Sequence, residues 1–149
     1  MWFKNLRLYI LQQPFNLTAE ALENRLQQKR FQPCSSHEPG SYGWYEPLGR
    51  QGESLVHELI GCQMICARQE EKLLPPAVIN EIVDEKAAAM ESEAGRKPGR
   101  KERSEMREEV FQQLLPKAFS RFANQYAMID KQQGWILVDA ASANKADAL

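Results

Sequence analysis

The stretch Pro75–Leu115, PPAVINEIVDEKAAAMESEAGRKPGRKERSEMREEVFQQLL, decides the fold. Pro75 and Pro76 suit a helix start, because proline lacks the amide hydrogen that a first helical turn leaves unpaired anyway. Val78, Ile79, Ile82, Val83 and Met90 recur at three- and four-residue spacing, which lays one apolar stripe beside Glu81, Glu85, Lys86 and Glu93. At 1.5 Å per residue this helix should be about 25 Å long. Gly95, Pro98 and Gly99 break it. A second helix is expected from near Ser104, a candidate N-cap, with Met106, Val110 and Leu114 on one face and Phe111 and Leu115 alongside. The result is a helical hairpin over residues 76–115, turning at a basic elbow over 95–103.

Outward from the hairpin the periodicity changes to that of strands. Phe3 to Leu11 alternates, with Leu6, Leu8 and Ile10 on one side and Asn5, Arg7 and Tyr9 on the other, the pattern of a half-buried strand. A shorter helix follows Pro14, capped by Thr18, stapled by Leu17 and Leu22, with Leu22 and Leu26 as its buried stripe, and running to about Lys29. Cys34 to Ser54 is rich in Gly, Pro and Ser but carries Tyr42, Trp44 and Tyr45, so it reads as a short strand or an ordered loop with aromatic anchors. Leu55–Ile60 and Cys62–Leu73 read as two strands meeting at Gly61. Met64 and Cys66 share a face that Arg68, Glu70 and Lys72 should carry into solvent. Beyond Pro116, Ala118–Ile129 and Trp135–Val138 form an expected β-hairpin around 131–134, although Phe119 to Phe122 also fits a last helical turn. Ser142 then caps the start of another helix. The fold class is α+β: one domain over 1–149, an antiparallel β-sheet with a helical hairpin and one shorter helix.

Composition narrows the function. The 149 residues are 43% hydrophobic and 26% charged with a net charge of −1, outside the range of disordered chains. No apolar run approaches the ~18 residues that suggest a membrane-spanning helix. The N-terminal residues interrupt their apolar character at Lys4 and Arg7 and carry no small-residue cleavage site, so a cytoplasmic address is expected. Three cysteines then argue for reduced thiols rather than a disulfide framework.

Candidate chemistry is sparse. Cys34, His37, His57, Cys62 and Cys66 are the residue types of a zinc site, but Cys62 and Cys66 on one strand lie about 13 Å apart, too far for both to bind one ion. No metal or other cofactor is expected. His37 and His57 are the only histidine bases, neither lies in a nucleophile turn, and no phosphate-binding glycine loop precedes a helix. The carboxylates of the two long helices interleave with Lys and Arg at helical spacing, the pattern of a solvated face. No catalytic residue is assigned. The elbow is different, because Arg96, Lys97, Arg100, Lys101, Arg103 and Arg107 place six cations within twelve residues. Cations that neutralise phosphates release counterions and bind DNA without reading its bases. Lys117 and Arg121 extend such a face. The same residues also fit an ordinary solvated loop.

The chain also resembles the bacterial recombination-associated RdgC family. Six blocks carry the resemblance in order: Met1-Trp-Phe-Lys-Asn-Leu6, Phe31-Gln-Pro-Cys34, Gly43-Trp44 with Pro47 and Gly49, Ile65 to Pro75, Leu114 to Phe122, and Val138 to Ala143. The resemblance covers the whole chain but corresponds only to the N-terminal part of family members. It implies a non-enzymatic, nucleoid-associated homodimer that forms a ring around double-stranded DNA with little sequence preference and limits the RecA recombinase. Carried onto this sequence, it implies a subunit contact at Phe119 and DNA-facing Lys117 and Arg121. A core position for Phe119 in the β-hairpin remains the other reading. Pro98 and Gly99 interrupt a segment that is more continuously helical in relatives. Ring closure needs contacts at both ends of a subunit, which leaves open whether a chain of this span encircles DNA. A protein-interaction module of the recombination machinery is the alternative from another class, and an uncharacterised hydrolase using His57 a third.

Overall fold

A computed structural model describes residues 3–149, and the first two residues of the opening Met1-Trp block lie outside that range. Its order is β1 (Leu6–Ile10), α1 (Ala19–Gln27), β2 (Gly40–Tyr45), β3 (Val56–Leu59), β4 (Cys62–Lys72), α2 (Pro76–Ala94), α3 (Arg100–Leu114), β5 (Ser120–Asp130), β6 (Trp135–Asp139) and α4 (Ala143–Asp147). The strands join in one six-stranded antiparallel sheet of order β1-β6-β5-β4-β2, with β3 also paired to β4. The α+β reading holds. Within the span expected to be one domain, the chain gathers into two compact units: residues up to Gln32, Ser41–Gln69 and Phe122–Leu149 form the first, Pro33–Gly40 and Glu70–Arg121 the second.

In the first unit, alternation sends one row of each strand toward a common core. Tyr9, Ile136, Val138, Ala127, Ile129 and Ile65 gather there with Leu22 and Leu26 of α1 and Ala146 of α4. Trp44 packs against the same cluster, as a core aromatic should. Thr18 caps α1 by accepting the Ala21 N–H at 3.1 Å, and the helix ends at Gln27 rather than Lys29. The β3–β4 turn places Ile60 and Gly61 both at positive φ, 44° and 79°, the conformation that a tight hairpin between right-twisted strands demands.

The row Leu6, Leu8 and Ile10 departs from the expected half-buried strand. These three side chains are 59%, 50% and 68% exposed, and Tyr9 from the opposite row enters the core instead. Alternation identified the two faces of β1 but cannot say which one its neighbours cover.

In the second unit, α2 and α3 close on Ile79, Val83 and Val110, with Leu74, Ile82, Met106, Phe111 and Leu114 around them. Pro76 stands at the first turn of α2, and Gly95 closes it in the left-handed conformation, its N–H donating to the Glu91 carbonyl at 2.9 Å. The second helix begins at Arg100, four residues before the expected Ser104. The Glu102 carboxylate accepts the Gly99 N–H at 2.7 Å and so satisfies the exposed amide of the entry turn. The elbow therefore shrinks to Gly95–Gly99, and Arg100, Lys101 and Arg103 ride on the first turn of α3. Leu115, fully buried, follows at once. Ser120 opens β5, so the residues after Phe119 form strand, not a last helical turn.

Candidate nucleic-acid interface

The helical hairpin sorts its cations by the partners its geometry supplies. Arg96 donates two hydrogen bonds to Glu102, Nη2 to Oε1 at 2.7 Å and Nη1 to Oε2 at 2.8 Å. That forked pair, together with the Gly99 N–H, holds the Glu102 carboxyl down at about 2. Arg103 reaches across the hairpin to Asp84, and Arg107 to the Asn80 side chain. Lys86 returns the favour from α2 to Glu109 at 3.1 Å. Lys101 lies 3.8 Å from Glu105 one turn on, and Arg121 bonds Glu71 at 2.7 Å.

Four of the eight sequence-assigned cations, Arg96, Lys101, Arg103 and Arg121, thus face a carboxylate of their own chain, and Arg107 bonds only the neutral Asn80 side chain. Each such pair must be opened or shared before a phosphate can use it, and much of its far field is already cancelled. Lys97, Arg100 and Lys117 are different. All three are exposed, and among the described residues none has a carboxylate within 4.0 Å. Lys97 sits in the elbow, Arg100 opens α3, and Lys117 ends the short turn after Leu115.

Two residues beside Lys117, Phe119 is 84% exposed while its backbone carbonyl accepts the Leu73 N–H at 2.8 Å. The backbone is fixed and the ring projects outward, which excludes the core position. The fold presents a large aromatic ring to solvent between Lys117 and Arg121.

Sequence reasoning misjudged one row of β4. Glu70 does not continue into solvent: it is buried, accepts the Cys34 N–H at 2.8 Å, and is held below its ordinary value first by the Ser120 hydroxyl and then by the Cys34 groups. In the first unit, Arg68 lays its guanidinium 3.2 Å above the Tyr45 ring, with Phe31 and Phe122 each 5.8 Å away, and donates to Asn124 at 2.9 Å. Tyr45 on β2 was visible as an aromatic anchor. That it anchors an arginine four strand positions beyond Met64 depends on which strands are neighbours, which alternation does not encode.

The reduced-thiol expectation has a structural counterpart at Cys66, whose burial pushes its thiol up to about 12, while Cys34 and Cys62 are only partly covered. Among the described residues, no helix is long and apolar enough to cross a membrane.

The model of the family described as "Putative exonuclease, RdgC" matches residues 1–149. The chain belongs to the RdgC family. Curated relatives agree: the chain is 46% identical over its full length to the recombination-associated protein RdgC of Aeromonas hydrophila, 45% over 99% of its length to that of Tolumonas auensis, and 44% over its full length to one from Shewanella baltica. It spans about half the length of these RdgC proteins, 49% in each case. The relatives are named for association with recombination, whereas the family description names a nuclease.

Proposed function

We propose that this RdgC-family chain binds double-stranded DNA through its phosphates, without sequence preference, and modulates homologous recombination by occupying DNA that the RecA recombinase would use. In this reading it works as a cytoplasmic, nucleoid-associated homodimer and is not an enzyme. The observation that carries it is that Lys97, Arg100 and Lys117, on the helical hairpin and the turn after it, are exposed and have no carboxylate within 4.0 Å among the described residues, in a chain of net charge −1. Local positive charge that the fold leaves uncompensated is available to a polyanion, and such binding needs no base-reading helix. Phe119 supplies the complementary feature, an exposed aromatic ring on fixed backbone, which suits a contact with a second subunit.

A salt series of duplex binding tests the reading. With three unpaired cations at work, log K should fall against log salt with a slope of about −2.7 or steeper, alike for unrelated sequences. Incubation of end-labelled duplex with magnesium or manganese should leave its ends intact; progressive loss of nucleotides would support the nuclease named in the family description instead. Partner capture that is insensitive to salt, with no duplex binding at low salt, would favour the alternative of a protein-interaction module, for which the exposed Phe119 ring is the supporting observation.

A further inference from the structure

Among the described residues, the six-stranded sheet closes a core on only one of its faces in the region of β1 and β6. The register pairs Ile10 with Trp135 and Leu8 with Leu137, and β5 adds Met128 opposite Leu137. Directly paired residues project to the same side of a sheet, so these five and Leu6 share one face. The interleaved row, Tyr9, Ile136 and Val138, faces the buried cluster. On the other side Leu6, Leu8, Ile10 and Trp135 stay between 37% and 68% exposed, and the strand that carries three of them is the edge of the sheet.

Leu8, Leu137, Ile10, Trp135 and Met128 form an apolar row bounded by Asp139 opposite Leu6 and Asp130 opposite Trp135, the arrangement of an apolar interface centre with a polar rim. Such a face fits a permanent partner. The curated relatives are about twice as long as this chain, which matches one half of each. From these two observations we infer that the Leu8–Leu137 face is a docking surface for the other half of a full-length RdgC protein. The docking half contributes an apolar sheet or helix face and completes a second core layer on the sheet. Among residues 3–149 the surface stands open.

The experiment compares accessibility at one position in two proteins. Leu8→Cys is introduced in this chain, and in a full-length chimera whose matched half is replaced in the Aeromonas hydrophila relative by residues 1–149. Maleimide labelling of the residue-8 peptide is followed by mass spectrometry. The thiol should react at the rate of a free peptide in the short chain and at least about tenfold slower in the chimera, at every protein concentration. Leu8→Asp should leave the melting temperature of the short chain unchanged and lower that of the chimera. Equal labelling rates in the two proteins would overturn the inference. So would protection that appears only as concentration rises, in the short chain as in the chimera, because that result assigns the face to a second copy.

Discussion

Arg96 and Glu102 meet in a forked pair with both hydrogen bonds under 3 Å, and the same carboxylate takes the Gly99 amide that opens α3. One side chain thus ties the elbow to the helix it precedes. The pairing also explains why only part of the most basic stretch, Lys97 and Arg100, is available charge.

Acid should loosen this tie. The Glu102 carboxyl is held at about 2, first by Arg96 and then by the Gly99 amide, against an ordinary 4.5. A depressed carboxyl contributes stability that is fully present above its unfolded value and is lost as pH falls through the folded one. The melting temperature should therefore exceed that of Glu102→Gln at pH 6, and the difference should close between about pH 4.5 and pH 2. Paired thermal melts across that window check it; a constant difference would remove the pair from the argument.

Binding should depend on pairing rather than on position. Replacing Lys97, Arg100 and Lys117 with Gln should lower the salt slope of duplex binding by up to about 2.7, close to 0.9 per cation. The matched variant at Arg96, Lys101, Arg103 and Arg121 removes one more charge, yet should lower it less. Fluorescence anisotropy at several salt concentrations separates the two.

Packing predicts an asymmetry between two leucines. Leu115 is fully buried and Leu8 is half exposed. Leu115→Ala should cost about 2–5 kcal/mol, as for other deletions from well-packed sites, whereas Leu8→Ala should change stability by less than about 0.5 kcal/mol in this chain. Denaturant titration reads both.

Gly43 is fixed by backbone rather than by side chains. A Cβ there would lie 2.6 Å from the Cα and N of Phe31 and 2.8 Å from the Lys29 carbonyl. Around it the Phe31 N–H donates to Trp44 at 2.7 Å and the Trp44 N–H to Lys29 at 2.9 Å. Gly43→Ala must push these segments apart, at a cost of about 1–3 kcal/mol. Amide exchange at Phe31 and Trp44 should rise together.

The thiols should label unequally. With its thiol near 12 and its side chain buried, Cys66 should resist iodoacetamide at pH 8 in the folded chain, while Cys34 and Cys62 react. Peptide mapping after a timed quench decides it.

Local signals carried most of this fold. Thr18, Pro76, Gly95 and Ser142 each mark a helix end in the sequence because capping is decided within one turn, and the Ile60–Gly61 turn is visible for the same reason. The start of α3 was misplaced because Glu102 competes with Ser104 by accepting the Gly99 amide, a bond made through a side chain three residues ahead. What lay beyond reach was pairing across distance. The partnership of Arg103 with Asp84, the aromatic seat of Arg68 and the burial of Glu70 all depend on which elements become neighbours. Charge counting located the elbow and could not tell a spent cation from a free one. Phe119 was left between core and surface by periodicity, since an exposed and a buried phenylalanine occupy the same strand pattern.

The polypeptide passes from one compact unit to the other after Gln32, Gly40, Gln69 and Arg121. Three of those passages fall inside β2, β4 and β5, where the strand continues without a break. A single cut therefore liberates neither unit, and a gene fragment encoding only the helical hairpin omits Pro33–Gly40, which belongs with it.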